Sequence, residues 1–437
     1  MNQGVFPLSR RELLTGVGAT LWVPASAIAQ AGRRLTLRAA PGEAALRPGH
    51  PDTPIWSLMA QTPNADLRFR RGDQVEIAFR NDLPVSTVLN WYGLDEIAAA
   101  QALTARQPLA PGATENFGIS FRKAGTFLCD LRLLGDGQAY PSPARALIVA
   151  ETEPVAVDRD EAILIEDWRI RSDGSTIAPG TEPFGASTIF TANGQASVDI
   201  ATRRHQRLRF RFINGCQRTG IAVKIEEHDL RVMAIDSRPS EPFPARNGQL
   251  VLAPGTRIDA FLDATRPPGS TAEIMLHDGK EARPIGRLVY SAESPARDAP
   301  LPVPPPLPED RPFAPIDLRN ATRLDLTLGG PSPEWTAPAG FSGASAPAFR
   351  ARTGRTVVLA LTNRAQVPTV FHLHGHHFRL LDRLDDGWKP FWLDTLAIDA
   401  GATQRIAFAA EHVGRWLIDS FATTWSAPRL VRWYSVE

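Results

Sequence analysis

Four of the nine histidines fall within the six residues from His372 to His377, in the run Phe371-His372-Leu373-His374-Gly375-His376-His377-Phe378. Imidazoles two residues apart are suited to holding one metal ion or two neighbouring ones, because neutral imidazole is a good ligand for copper, zinc, iron and nickel. For the nitrogens to converge, the backbone must hold them on one face. The flanking stretch from Val370 to Leu381 is apolar enough to read as a buried strand, in which alternate residues share a face. On that reading His372, His374 and His376 point one way, and Leu373 and His377 point the other. A polar strand edge or hydrogen-bonded core histidines would give the same spacing, so the rest of the chain has to decide.

Other residues with chemical potential are few. The two cysteines, Cys129 and Cys216, fall in different predicted domains and read as buried free thiols rather than a disulfide. The carboxylate pairs Asp385-Asp386 and Asp158/Asp160 flank turns, as solvated loops do, and carry no sign of acid–base work. No Ser-His-Asp context, phosphate-cradling glycine loop or nucleotide motif is present. Four methionines are too few for a methionine-rich copper-handling segment.

The elements that must position these residues are short and numerous. The 437 residues include 33 glycines and 38 prolines, a composition that favours an all-β protein of two or three domains. Lys plus Arg is 48 against 47 Asp plus Glu, so no basic excess points to nucleic acid or anionic lipid. Residues 1–30 read as a targeting segment. Ser9-Arg10-Arg11-Glu12-Leu13-Leu14 precedes a modestly apolar stretch and the small residues Ala27-Ile28-Ala29, the pattern of a cleavable twin-arginine signal. The expected location is the periplasm. No later stretch approaches the roughly 18 apolar residues that span a bilayer.

Residues 31–153 form a first predicted domain, with the hairpin of Leu67 to Asn81 turning at Gly72-Asp73. Residues 154–294 form a second. Its stretch Arg207-Leu208-Arg209-Phe210-Arg211-Phe212-Ile213-Asn214 alternates charged and apolar residues, which predicts a strand with one wet face. Residues 295–315, with Pro304-Pro305-Pro306 at their centre, read as a stiff linker. Residues 316–437 form a third domain that holds the histidines and Trp388, Trp392, Trp416, Trp425 and Trp433. Three apolar runs end alike, at Asn81, Asn214 and Asn363, which suggests three related β domains; a general preference of strand ends for asparagine is the competing account.

These features, with Pro111-Gly112, Gly125-Thr126-Phe127, Asp167-Trp168, Asn193-Gly194, Pro254-Gly255-Thr256-Arg257-Ile258-Asp259, His372-Leu373-His374-Gly375-His376 and Asp394-Thr395, resemble the multicopper oxidases over nearly the whole chain and in the family's order. The resemblance implies three cupredoxin-like domains, each a Greek-key β-sandwich or barrel. It also implies a mononuclear copper held by two histidines and a cysteine, and a trinuclear cluster held by eight histidines. Nine histidines in total cannot supply that set. Motif by motif, the resemblance sets Asn90-Trp91-Tyr92 and Cys129-Asp130-Leu131 where His-x-His is expected. Thr369 stands at a mononuclear ligand position, and Asp419-Ser420-Phe421, Trp425 and Leu430 stand at the last motif. His372 and His374 are the surviving cluster positions. Leu131, Phe421 and Trp425 are expected to fill the former cavities with packed side chains.

With its copper ligands stripped out, the chain resembles the copper-free FtsP (SufI) type of cell-division protein. That resemblance implies a non-catalytic periplasmic factor with no cofactor and with envelope or division proteins as partners. The alternative is a copper-binding oxidoreductase of the family with a residual or rebuilt site, for which Cys129, His372, His374 and Asp419, with Asn90 nearby, are the candidate ligands.

Overall fold

Short runs of alternating residues closed by glycine, proline or asparagine satisfy their backbone groups only by pairing with one another. The computed structural model describes residues 33–60, 67–309, 312–329, 333–382 and 387–437, and these runs pair into six sheets, two for each of three β-sandwiches. The twin-arginine stretch, Ala27-Ile28-Ala29 and the Asp385-Asp386 pair lie outside the described residues. The described residues are all-β, with only single-turn 3-10 helices between strands among them. No helix among the described residues is long and apolar enough to cross a membrane.

The sheets repeat one plan. In each sandwich the first strand lies parallel to a later one: Arg33–Ala44 beside Gln74–Asn81, Arg159–Arg171 beside Arg207–Asn214, and Thr322–Leu328 beside Thr356–Asn363. The later strand ends in the asparagine singled out above. Each of those amides then makes the same bonds. The Oδ1 atoms of Asn81, Asn214 and Asn363 accept the N–H two residues on, from Leu83, Cys216 and Ala365 at 2.9–3.0 Å. Their Nδ2 atoms donate to carbonyls four or five residues on, Val85, Thr219 and Val367, and to a carbonyl on a distant segment, Leu109, Leu252 and Ile398. The repeat is therefore one of side-chain geometry and goes beyond a general taste for asparagine at strand ends. Each amide locks a strand exit that would otherwise leave buried backbone groups unpaired.

Cores follow from the alternation. The first sandwich encloses its own apolar cluster around Leu37, Ile77, Phe79 and Leu147, while one continuous cluster runs from the second sandwich into the third. Smaller apolar contacts join the first sandwich to the second, through Tyr92, Leu128, Leu164 and Ile213, and to the third, through Val88, Leu103, Leu417 and Val431. Between residues 291 and 321 the described chain has no strand or helix, yet it is tied down: Arg207 donates to the carbonyls of Leu301 and Pro302, and Leu307 packs with Met233 and Phe261.

One expectation fails here. Every residue of Arg207–Asn214 is buried, including the arginines expected on a wet face. Arg207 pairs with Asp263, Arg209 with Asp259 and Glu151, and Arg211 with Asp160 and Asp259. Arg211 also donates to Thr126 of the first sandwich at 2.8 Å. The charged face is thus covered by its neighbours and neutralised by carboxylates, the condition under which buried guanidinium is tolerated.

Candidate functional site

The strand Thr369–Leu373 lies between Thr395–Ile398 and Gly414–Ala422, with His372 opposite both Thr395 and Asp419. Phe371 and Leu373 belong to the apolar core of the third sandwich. His372 faces the other way, onto Tyr92 of the first sandwich, with ring centroids 4.6 Å apart. The strand stops sooner than its apolar flanks suggest. Gly375 adopts φ +77° against the face of Trp416, and an added Cβ would lie 2.1 Å from that ring. This turn breaks the alternation. His376 therefore does not share a face with His372 and His374, but packs among Phe408, Trp416, Tyr434 and His412. His377 swings to the junction of all three sandwiches.

Hydrogen bonds account for the four imidazoles nitrogen by nitrogen. His372 Nδ1 is 2.9 Å from Thr395 Oγ1, whose proton goes to Asp394. Gln101 Nε2 donates to His374 Nδ1 at 3.1 Å, which leaves the His374 proton on Nε2 to be donated to Asp419 Oδ2 at 3.0 Å. The His412 backbone N–H donates to His376 Nε2, so His376 Nδ1–H reaches the Tyr434 hydroxyl at 2.7 Å, which in turn donates to the His374 carbonyl. His377 Nε2 donates to the Asp236 carbonyl at 2.6 Å, and its Nδ1 is 2.9 Å from Asp95 Oδ2. Among the described residues, His372 Nε2 is the one ring nitrogen of the four histidines left without a hydrogen-bond partner. Burial, and next the neighbouring His374, push His372 down to about 3, so it is neutral; burial likewise holds His376 well below the usual histidine range.

His372, His374 and Asp419 are the three expected site residues that the fold brings together. One donor atom from each lies within 4.8 Å of the others, and all three are buried. Cys129 is not with them. It faces the core of the first sandwich, where burial pushes its thiol up to about 12. The reason is strand alternation along Gly125–Asp130: if Cys129 points inward, its neighbour Asp130 points to the junction. Asp130 stands opposite Asn90, on the same face as Tyr92 and Leu128. Asn90 is 1 % exposed, and neither atom of its amide has a hydrogen-bond partner among the described residues. Cys216 is a free thiol buried in the second sandwich, its Sγ–H directed at the Ile165 carbonyl at 3.7 Å. Leu131, Phe421 and Trp425 are all buried as expected, and the guanidinium groups of Arg218 and Arg429 lie 4.8 and 4.3 Å from the Phe421 ring centroid.

The residues that complete the site are arginines and acids distant in sequence. Arg429 Nη1 donates to Asp419 Oδ1 at 2.5 Å and lies 3.3 Å from the Tyr92 hydroxyl. Burial would raise the Asp419 carboxyl, but the Arg429 charge and the His374 bond outweigh it and hold Asp419 well below the usual range. Nearby, Arg132 pairs with Glu166 across the first and second sandwiches. A second knot lies behind His372. Arg257 grips both oxygens of Asp394, and Asp236 accepts the backbone N–H groups of Arg257, Asp394 and Thr395. Burial and the Asp394 charge raise Asp236. The motifs around Arg257 and Asp394 are visible in the sequence, and no local pattern pairs them. Chemically, the assembly is a closed, largely neutralised polar cluster, with one three-atom donor set for a cation at its centre.

Residues 42–129, 152–275 and 315–436 each match the pattern described as multicopper oxidase. The chain belongs to the multicopper oxidase superfamily. Among curated relatives it is similar to the multicopper oxidase MmcO of Mycobacterium tuberculosis, 22% identical over 461 residues, covering 92% of this chain and 87% of that one. Laccase-6 of Oryza sativa is 23% identical over 252 residues, covering 51% of this chain and 42% of the laccase. Solved multicopper oxidase structures superpose along almost the full length. That from Pseudomonas thermotolerans gives a TM-score of 0.78 at 24% identity, covering 93% of this chain and 99% of that one. The McoA 2F4 variant from Aquifex aeolicus also gives 0.78, at 16% identity, covering 93% and 96%. At these identities the likeness speaks for the fold, the three cupredoxin-like sandwiches of the multicopper oxidases.

Proposed function

We propose that this protein is a copper-free member of the multicopper oxidase superfamily, exported to the periplasm, where it serves the cell envelope as a non-catalytic structural or protein-binding factor, with cell-division support as the nearest analogy. The observation that carries this reading is the commitment of every ring nitrogen of His372, His374, His376 and His377 except His372 Nε2 to protein partners, together with the ion pair of Asp419 and Arg429. Copper is bound through nitrogen lone pairs and thiolate. Here His374 Nδ1 already accepts from Gln101, His376 Nε2 accepts from His412, and both His377 nitrogens are engaged. Ser420, paired with Phe371 across the strands, offers a hydroxyl where the family has a thiolate, and a hydroxyl is a poor soft ligand. These donors do not fit a trinuclear cluster or a mononuclear thiolate site. Arg10-Arg11 and the resemblance to the FtsP (SufI) type support export and envelope work; fold analogy is their warrant.

A second reading, a copper-binding oxidoreductase with a rebuilt site, is favoured by the convergence of His372, His374 and Asp419 within 4.8 Å. Metal analysis and the visible spectrum of protein exported with copper supplied separate the two. Substoichiometric copper and no colour is the expected result, to be followed by crosslinking at the envelope to capture partners. One copper per chain, lost on replacing both His372 and His374, would decide for the oxidoreductase.

A further inference from the structure

The geometry points to Arg429 as the resident cation of a latent divalent-metal site, one made by His372, His374 and Asp419 and kept closed by the guanidinium. This deepens the copper-free reading and rests on it.

Asp419 has no solvent to stabilise its charge. A buried carboxylate persists only beside a positive partner. The imidazoles in contact do not supply one: His372 has its proton on Nδ1, bonded to Thr395, and His374 has a single proton, on Nε2, because Gln101 donates to the other nitrogen. The positive partner is Arg429. Its position is fixed by elements rather than by a free side chain. Arg429 directly precedes the strand Leu430–Val436, whose first residues pair with Ser420 and Asp419. Its backbone N–H is held by Asp136 of the first sandwich. Its guanidinium lies over Phe421, 4.3 Å from the ring centroid, and Nη1 bridges Asp419 and Tyr92.

Two imidazoles and a carboxylate converging within 4.8 Å are the donor types and number that hold zinc, cobalt or iron in many proteins. With Arg429 in place, a divalent ion at this point would face a fixed positive charge in a dry interior, where repulsion is weakly screened. Without it, the carboxylate keeps its two imidazole neighbours and loses the one cation paired with it among the described residues. Nor does the His374 proton bar a ligand: rotation of the Gln101 amide presents an oxygen to Nδ1, moves the proton there and frees Nε2. One side chain thus sets whether the cluster is closed by the protein or by a metal.

The test uses the full chain with cobalt(II) as probe, because its visible spectrum reports coordination without any activity. The variants are Arg429→Met, of similar length without charge, and Arg429→Lys, which keeps the charge. Wild type and R429K are expected to show no cobalt bands and no change in Tm. R429M is expected to bind one cobalt at least a hundredfold more tightly than wild type, with visible bands and a raised Tm, both lost when Asp419→Asn is added. If R429M does not fold alone, refolding with cobalt is expected to rescue it. A folded R429M without cobalt bands, or an unfolded one that cobalt does not rescue, overturns the assignment of Arg429. Equally tight binding to wild type overturns instead the copper-free reading on which the assignment rests.

Discussion

Arg257 of the second sandwich holds Asp394 of the third with both terminal nitrogens, at 2.9 and 2.7 Å, in a contact where neither side chain meets solvent. The same guanidinium donates to the carbonyls of Gly255 and Thr126, so it ties three sandwiches together. Replacing Arg257 by Met leaves Asp394 and Asp236 as adjacent uncompensated carboxyls. The expected loss is about 3–5 kcal/mol of unfolding free energy, measured by urea denaturation. The double variant Arg257→Met/Asp394→Leu should recover a large part of it. A single-variant loss under about 1 kcal/mol would mean that the pair is solvated.

The three asparagine locks make a matched set. Asn81→Ala, Asn214→Ala and Asn363→Ala each strand a backbone N–H and at least two carbonyls, Asn363→Ala also the Asp399 carbonyl and the Thr369 hydroxyl. Each should cost about 2–3 kcal/mol. Thermal unfolding of the three variants checks whether the costs are alike; a cost confined to one sandwich would show that the repeated geometry has no common energetic role.

Acid should remove the His372 contribution to stability before carboxylates in the ordinary range titrate. His372 is depressed from an ordinary 6.5 to about 3 by burial first and His374 next. The unfolded chain takes up that proton as pH falls through 6.5, and the folded chain does not. The contribution of His372 is therefore fully present above about pH 6.5 and lost progressively below it. At pH 5 the loss from this residue is about 2 kcal/mol. Denaturation midpoints at pH 7.5 and pH 5 for wild type and His372→Gln check this: the variant should show the smaller drop, and equal drops would place the acid sensitivity elsewhere.

Gly375 is both left-handed and in contact with a ring. Gly375→Ala adds a strained φ and a Cβ driven 2.1 Å from Trp416. About 3–5 kcal/mol is expected from strain and overpacking together. Intrinsic tryptophan fluorescence should shift with the displaced indole. A variant as stable as wild type would rule out the close approach.

The fold was legible because its signal is local. Alternation, turn residues and the repeated asparagine ending each depend on neighbours a few positions apart, and they mark out three β domains. His372, His374 and Asp419 were legible because the family's order names their positions. Cys129 was misplaced by a single residue of strand phase, which exchanges core for junction and leaves Asp130 where the thiolate had been expected. Arg209 and Arg211 read as a wet face because alternation reports which residues share a side and says nothing of what covers it. The place of Arg429 and the pairing of Arg257 are not legible in the sequence for a related reason. Arg429 bonds Tyr92 from 337 residues away, and Arg257 bonds Asp394 from 137.

Asp136 receives the Arg218 guanidinium of the second sandwich with both oxygens, and the backbone N–H of Arg429 in the third with one of them. One carboxylate in the first sandwich therefore waits on residues from both later ones. The first sandwich thus carries a row of sockets that the later two fill: Asp136 takes Arg218 and Arg429, Asp95 takes His377, and the Tyr92 hydroxyl takes Arg429. A first sandwich parted from the other two would lose these partners at once, so the three are expected to keep their relative places as one unit.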